Sequence, residues 1–267
     1  MTSTLKFTLL GTGSSGGVPR VGNQWGACDP TNSRNRRRRC AVLVESSAPD
    51  GGKTVLLIDT GADLREQLLA ENVARLDGVL LTHAHADHIF GLDDLRQLAM
   101  LMRTSIRVHM DDATAQVVMQ SFSYCFRQAQ GSSYPAFCTP VRIEHGTPTL
   151  CVGDGGTVEA IPLLVEHGDI DALGFRIGDI AYLPDIKRMV DAYSLNALQG
   201  VRILIVDALR YSTHPSHMNV EAALDFIALI GPERAVLTNM HSDLDHDSLR
   251  RQLPANVIPG YDGLQLS

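Results

Sequence analysis

The chain has 267 residues and a formal net charge of −7, with 44% hydrophobic and 20% charged residues. This is ordinary globular composition with ample apolar content for a buried core, and the acidic balance argues against a protein that coats nucleic acid broadly, because such domains carry a dominant positive face. The five cysteines (Cys28, Cys40, Cys125, Cys138, Cys151) are widely spread and form no CxxC pair. Neither a disulfide framework nor a cysteine-only zinc site is indicated, and a reducing cytoplasmic location is the expectation.

The N-terminal stretch MTSTLKFTLLGTGSS has one lysine and a short apolar run broken by glycines. It fits neither a signal peptide nor a membrane span. A first strand is expected over Leu5 to Leu10, followed by the glycine-rich turn GTGSSGGVP (11–19). The run RNRRRRC (34–40) has five arginines in six positions, a weak cue for nucleic-acid binding. It leads into the apolar stretch CAVLVE. Strands are expected over Cys40 to Glu45 and Thr54 to Ile58, joined by the turn segment SSAPDGGK.

After the turn-forming DTG, leucine spacing predicts a helix over Ala62 to Glu71. DGVLL (77–81) reads as a strand buried on both faces. A histidine cluster follows, then a helix through Leu92 to Met102. Later strands are expected at Val158–Leu164, Gly174–Ile177, Ile180–Leu183, ILIVD (203–207) and AVLTNM (235–240), with helices near Met189–Leu198 and Asn219–Ile230. No linker divides this alternation, so residues 1–267 are expected to form one domain of helices covering packed sheets.

The chemistry concentrates in LLTHAHADH (80–88), which puts His83, His85, Asp87 and His88 within six positions at the end of a buried strand. Imidazole with carboxylate suits zinc, manganese or iron. Alternate residues of an extended segment point the same way, so His83 and His85 can reach one metal. Asp87 and His88, beyond the turn, can reach a second.

HxHxDH after a buried strand resembles the signature of the metallo-β-lactamase fold. The resemblance implies an α/β, αβ/βα four-layer sandwich of two mixed β-sheets flanked by helices. It extends to His167 in VEHGDIDALGF, Asp185 in AYLPD and His241 in VLTNMH. By it, His83, His85 and His167 hold one metal, Asp87, His88 and His241 the other, and Asp185 bridges them. The implied cofactors are two divalent ions, zinc or manganese, with iron as a further option.

Within that superfamily the opening GTGSSGGVPRVG and the run SHMNVEAAL (216–224) resemble PhnP-type cyclic phosphodiesterases and, at more distance, tRNase Z. The resemblance implies that His217 faces the metals with Asp207 as its acid partner, an arrangement suited to protonating a leaving group. His214 has no assigned role. One departure stands out. PhnP-type proteins carry CxCxxC and a later histidine as a structural zinc site, whereas Asn23, Trp25 and Cys28 stand here, and His246 has no sulfur partners.

The expectation is a dinuclear metal phosphodiesterase with catalytic Asp87, His217 and Asp207, acting on small cyclic or nucleotide-like phosphodiesters of the phosphoribosyl 1,2-cyclic phosphate type. The alternatives are a tRNase Z-like nuclease, an ester, thioester or lactone hydrolase on the same metals, and a non-catalytic binding module. No membrane partner is expected, nucleic acid is disfavoured, and a homodimer is compatible with the resemblance. Alternation along an extended lead-in predicts Arg36 and Arg38 on one face and Arg37 and Arg39 on the other. Arg37 and Arg39 are the candidate phosphate contacts, against the alternative that the run pairs with carboxylates.

Overall fold

The computed structural model describes residues 4–267, and its strands form two mixed sheets. The first contains β1 (Thr4–Gly11), β2 (Ala41–Ser47), β3 (Lys53–Ile58), β4 (Gly78–Leu80), β5 (Ile106–Met110) and β6 (Cys138–Arg142). The second contains β7 (Thr149–Gly153), β8 (Gly156–His167), β9 (Ile170–Ile177), β10 (Ile180–Leu183), β11 (Arg188–Met189), β12 (Ile203–Asp207), β13 (Arg234–Thr238) and β14 (Val257–Pro259). The C-terminal β15 (Gln265–Leu266) returns to the first sheet and pairs antiparallel with β1.

The order β15-β1-β2-β3-β4-β5-β6 is antiparallel up to β3 and parallel beyond it. In the second sheet the order is β11-β8-β9-β10-β12-β13-β14, with β7 also on β8. There the pairing turns parallel from β10 onward. The tight turn Ile177–Ile180 makes β9 and β10 a hairpin, with Gly178 at a φ of 61°, the left-handed region that glycine enters freely.

Side-chain alternation explains the layering. Along β2, Val42 and Val44 point into the space between the sheets, where they meet Phe175, Ile205 and Val236 of the second sheet. Ala41 and Leu43 point the other way, toward Leu64, Leu68 and Leu95. Those leucines belong to α1 (Leu64–Ala70) and, after a short α2 (Ala86–Ile89), to α3 (Leu95–Met102). Two further helices, α4 (Asp112–Ser121) and α5 (Ser123–Phe126), complete that cover. The outer face of the second sheet packs on α6 (Ala192–Asn196), α7 (Val220–Ile230) and α8 (His246–Gln252), through Leu204 and Leu237 against Ala223, Phe226 and Leu249. Strands buried on both faces read as unbroken apolar runs, which is why DGVLL and ILIVD carry no alternation. The result is the expected αβ/βα sandwich.

Several elements differ from the sequence reading. The strands β5, β6, β7, β14 and β15 and the helices α2, α4, α5 and α8 lie where the sequence predicts no element. The helix expected near Met189–Leu198 shrinks to Ala192–Asn196, because Met189 pairs with Val165 as β11. All five cysteines are free and buried.

Candidate active site

The site sits at strand ends on one edge of the sandwich. After β4 the chain stays extended through His85 (φ −66°, ψ 149°) and then turns into α2, whose first turn carries Asp87 and whose last carries His88. His167 is the last residue of β8, Asp185 follows β10, Asp207 ends β12 and His241 follows β13. His217 lies on the loop between β12 and α7.

These side chains converge. The ring nitrogens of His83, His85 and His167 lie within 4.8 Å of one another, and so do the ligand atoms of His83, His88 and Asp185 and of His167, Asp185 and His217. His167 Nε2 is 3.2 Å from His85 Nδ1, and His88 Nε2 is 3.1 Å from Asp185 Oδ2 and 3.4 Å from Asp87 Oδ2. Asp87 and His241 line the same cavity but fall outside these close triads.

The cluster fits a cation. His83 Nε2, His88 Nε2 and Asp185 Oδ2 are buried without a hydrogen-bond partner, a costly state for polar atoms unless an ion joins them. Burial pushes the His83 pKa well below its ordinary value, leaving the neutral imidazole that a metal needs. Burial also opposes charge on His88, but the carboxylates of Asp185, Asp59 and Asp87 outweigh it and hold the ring protonated well above its usual range. Asp185 is buried too, yet the charge on His88 keeps its carboxyl well below the usual range.

A surrounding layer of oxygens fixes the rings. Asp59 accepts from Thr82 N–H at 2.8 Å, from Thr82 Oγ1, and from His88 Nδ1 at 2.7 Å. His83 Nδ1 is 3.0 Å from Thr82 Oγ1, and His167 Nδ1 donates to the Ser216 carbonyl at 3.0 Å. His241 Nδ1 is 2.5 Å from Asp243 Oδ1. With Nδ1 occupied, His83, His88, His167 and His241 each keep Nε2 for the cluster, as ligating histidines require.

His217 Nδ1 donates to Asp207 Oδ2 at 2.7 Å, and Asn239 Nδ2 donates to Asp185 Oδ1 at 3.2 Å. Burial raises the Asp207 carboxyl pKa despite His217 beside it. Burial works against charge on His217, but the hydrogen bond and charge of Asp207 prevail and raise its pKa. Asp207 thus favours the protonated ring of His217, while His217 favours the ionised carboxylate of Asp207. Lys187 Nζ donates to the carbonyls of His214 and His217 and holds their loop in place.

A cavity of about 390 Å³ opens onto this cluster, lined by His85, Asp87, His167, Asp185, His217 and His241. Its remaining walls include Ser14, Ser15, Arg20, Arg210, His214 and Asn239. Of these the sequence reading singled out only His214. Asp59 was read only as part of the turn-forming DTG; it directly follows β3 in a left-handed backbone (φ 66°), a conformation that the sequence does not announce.

The arginine expectation needs correction. Arg37 is 2% exposed, and its guanidinium donates to the Leu244 carbonyl at 2.7 Å and to Asn35 and the His241 carbonyl at 3.4 Å. It is a buried support beneath the site. Arg39 donates to Asp63 at 2.9 Å and to the Ser15 carbonyl at 2.9 Å. It lines a separate groove of about 840 Å³ together with Arg36 and Arg38. The two expected faces do not hold as pairs: Arg37 turns inward to the Leu244 carbonyl while Arg39 reaches Asp63, and Arg36, Arg37, Arg38 and Arg39 all line the one groove. Arg38 pairs with Asp262, so the pairing alternative describes Arg38 and Arg39.

At the departure from the PhnP pattern, Arg37 Nη1 reaches Cys28 Sγ at 3.9 Å, and Asn35 Oδ1 accepts from His246 N–H at 2.8 Å. Asn35 Nδ2 donates to Asp245 at 2.7 Å, so a polar knot organised by a guanidinium joins these segments.

Residues 54–240 match the beta-lactamase superfamily domain. Over 98% of its length the chain is 35% identical to an octanoyltransferase of Porphyromonas gingivalis, but it spans only 51% of that protein. It is 28% identical to a ribonuclease Z of a Bradyrhizobium species over 174 residues, which are 64% of this chain and 49% of that enzyme. Among solved structures, a diphosphatase from the PhnP family superposes with a TM-score of 0.87 at 33% identity, covering 99% of this chain and 98% of the other. With its two mixed sheets and convergent histidines and aspartates, the chain belongs to the metallo-β-lactamase superfamily and, within it, to the PhnP family.

Proposed function

We propose that this protein is a dinuclear metal-dependent hydrolase that cleaves at phosphorus, acting on small cyclic or nucleotide-like phosphodiesters, with phosphoric anhydrides such as diphosphates as a related class. The observation that carries the reading is His217, held by the buried Asp207, on the wall of the same cavity as the His/Asp cluster. Hydrolysis at phosphorus needs both a charge sink for phosphoryl oxygens and a proton for the departing oxygen. The likeness to a protein described as a diphosphatase supports hydrolysis at phosphorus.

His83, His85 and His167 would hold one ion, Asp87, His88 and His241 the other, with Asp185 between them. Two divalent ions there, zinc or manganese, would supply Lewis-acid charge and lower the pKa of the attacking water. Asp87, at the cavity wall, orients that water. Asp207 fixes the His217 ring through Nδ1, which leaves Nε2 to donate its proton to the leaving oxygen. Asn239 steadies Asp185 from behind.

The test is turnover of bis(p-nitrophenyl) phosphate by protein stripped with chelator and reloaded with zinc or manganese. Asp185→Ala and His85→Ala should each abolish the metal-dependent rate while circular dichroism stays native. Unchanged rates in both variants would sink the metal mechanism. The ribonuclease Z likeness supports a second reading, RNA processing, and faster cleavage of precursor tRNA than of 2′,3′-cyclic nucleotides would favour it.

A further inference from the structure

The loop between β12 and α7 holds a histidine that the hydrolytic scheme above does not use. His214 lines the cavity and is half-buried. Ser216 N–H donates to its Nδ1 at 3.3 Å, and Ser216 Oγ stands 3.1 Å from the same nitrogen. A backbone N–H can only donate, so Nδ1 is the acceptor and the neutral ring carries its proton on Nε2. Burial, followed by the charge of His217, lowers the His214 pKa and keeps the ring neutral. The Nε2–H has no acceptor among the described residues, whose hydrogen bonds to this ring all go to Nδ1.

The fold fixes this donor in place. Lys187 Nζ donates to the carbonyls of His214 and His217 at 2.7 and 3.3 Å. At the base of the loop, Leu209 N–H donates to the Met218 carbonyl and Met218 N–H to the Ile186 carbonyl. Ser216 ties the loop to the metal cluster, since its carbonyl accepts from His167 Nδ1 at 3.0 Å. Gly168, at a φ of 69°, lets the β8–β9 turn close on Ser216, where an added Cβ would meet Ser216 Cβ at 2.7 Å. Ser216 thus orients a ligand histidine through its carbonyl and His214 through its amide.

The rings also follow one another away from the cluster. His217 packs on His167 with centroids 4.6 Å apart, and His214 packs on His217 at 5.0 Å. We infer that His214 is a specificity-determining residue whose Nε2–H donates to an oxygen carried by the departing portion of the substrate, such as the ether oxygen of a sugar ring. With the phosphoryl group at the cluster and the departing oxygen at His217, that portion lies against His214. A site built to bond such an oxygen disfavours the analogue that lacks it, because the donor is then left unpaired. This rests on the reading of hydrolysis at phosphorus above.

The experiment compares two cyclic phosphodiesters of the same shape. One is the cyclic phosphate of 1,4-anhydroerythritol, which has a ring ether oxygen, and the other that of cis-cyclopentane-1,2-diol, which has a methylene there. Ring opening by the metal-loaded protein is followed by phosphorus NMR. In the wild type, kcat/KM should favour the ether diester tenfold or more. His214→Ala should cut that ratio at least fivefold, and His214→Gln, whose amide offers an N–H near the same point, should recover at least threefold of it. Metal content and melting temperature should stay unchanged in both. A wild type without the preference overturns the contact, and so does equal loss on both diesters in His214→Ala, which would make the residue a mere support for His217. If neither diester opens, the hydrolase reading fails, and calorimetric titration with the two ring-opened monophosphates decides the contact by itself. Tighter binding of the ether compound in the wild type but not in His214→Ala sustains it, and equal binding overturns it.

Discussion

Arg37 and His109 show how single buried residues set the character of this protein. Arg37 is fully desolvated, and the backbone carbonyls of Leu244 and His241 are among its acceptors. Arg37→Met keeps the aliphatic stem but strands those acceptors, so unfolding free energy should fall by about 2–4 kcal/mol in urea titrations. A loss below measurement error would mean that water replaces the guanidinium. His109 is 2% exposed, its Nδ1 has no partner, and burial followed by the charge of Arg107 pushes its pKa down to about 4. The folded state favours neutral His109, whereas the unfolded ring titrates near 6.5. Its stabilising share is therefore complete above about pH 6.5 and is lost as pH falls from there toward 4, by about 3 kcal/mol at most. His109→Leu should flatten that part of the stability profile between pH 7 and 4.5. An identical slope in wild type and variant would rule His109 out as the cause.

At the scale of elements, the turn after β3 and the turn after β4 act as one unit. Asp59 is buried, adopts a left-handed backbone and binds the Thr82 amide, the Thr82 hydroxyl and His88 together. The strand ends thus orient ligands that the short helix α2 presents. Asp59→Asn should weaken metal uptake about 10–100-fold, the usual effect of removing such a support, as read by competition with a fluorescent chelator. Unchanged affinity would show that Thr82 alone suffices. The β12–α7 connection works similarly. Asn219 caps α7 by accepting from Ala222 N–H at 3.2 Å and also donates to the Tyr211 carbonyl, so one residue starts the helix and tethers the loop that carries His217.

On the scale of the molecule, the cluster sits across the seam between the sheets. His83, His85, Asp87 and His88 follow a strand of the first sheet, while His167, Asp185 and His241 come from the second. A bound ion therefore joins two halves that otherwise meet mainly through apolar contacts such as Leu56 and Phe175. Ligands that bind only the folded state stabilise it by mass action, about 4 kcal/mol at a thousandfold excess over Kd. Chelator should consequently lower the melting temperature by about 10 °C in a thermal scan. No shift on chelation would mean that ions do not bridge the sheets.

Local order along the chain was enough to reveal the buried strands, the HxHxDH cluster and the family order of His167, Asp185 and His241. Those signals depend on hydrophobic runs and on chemically rare residues at fixed offsets, both visible without a third dimension. The charged and hydroxylic residues could not be sorted that way, because an arginine in sequence looks the same whether it is buried or exposed. Only the tertiary structure placed Arg37 under the site, Arg39 on Asp63, and Arg20 and Ser14 on the cavity wall. It likewise brought Asp59 and Asn239 to the ligands they steady, through contacts spanning 29 and 54 residues. Such contacts depend on which strand ends the folded sheets bring to one edge.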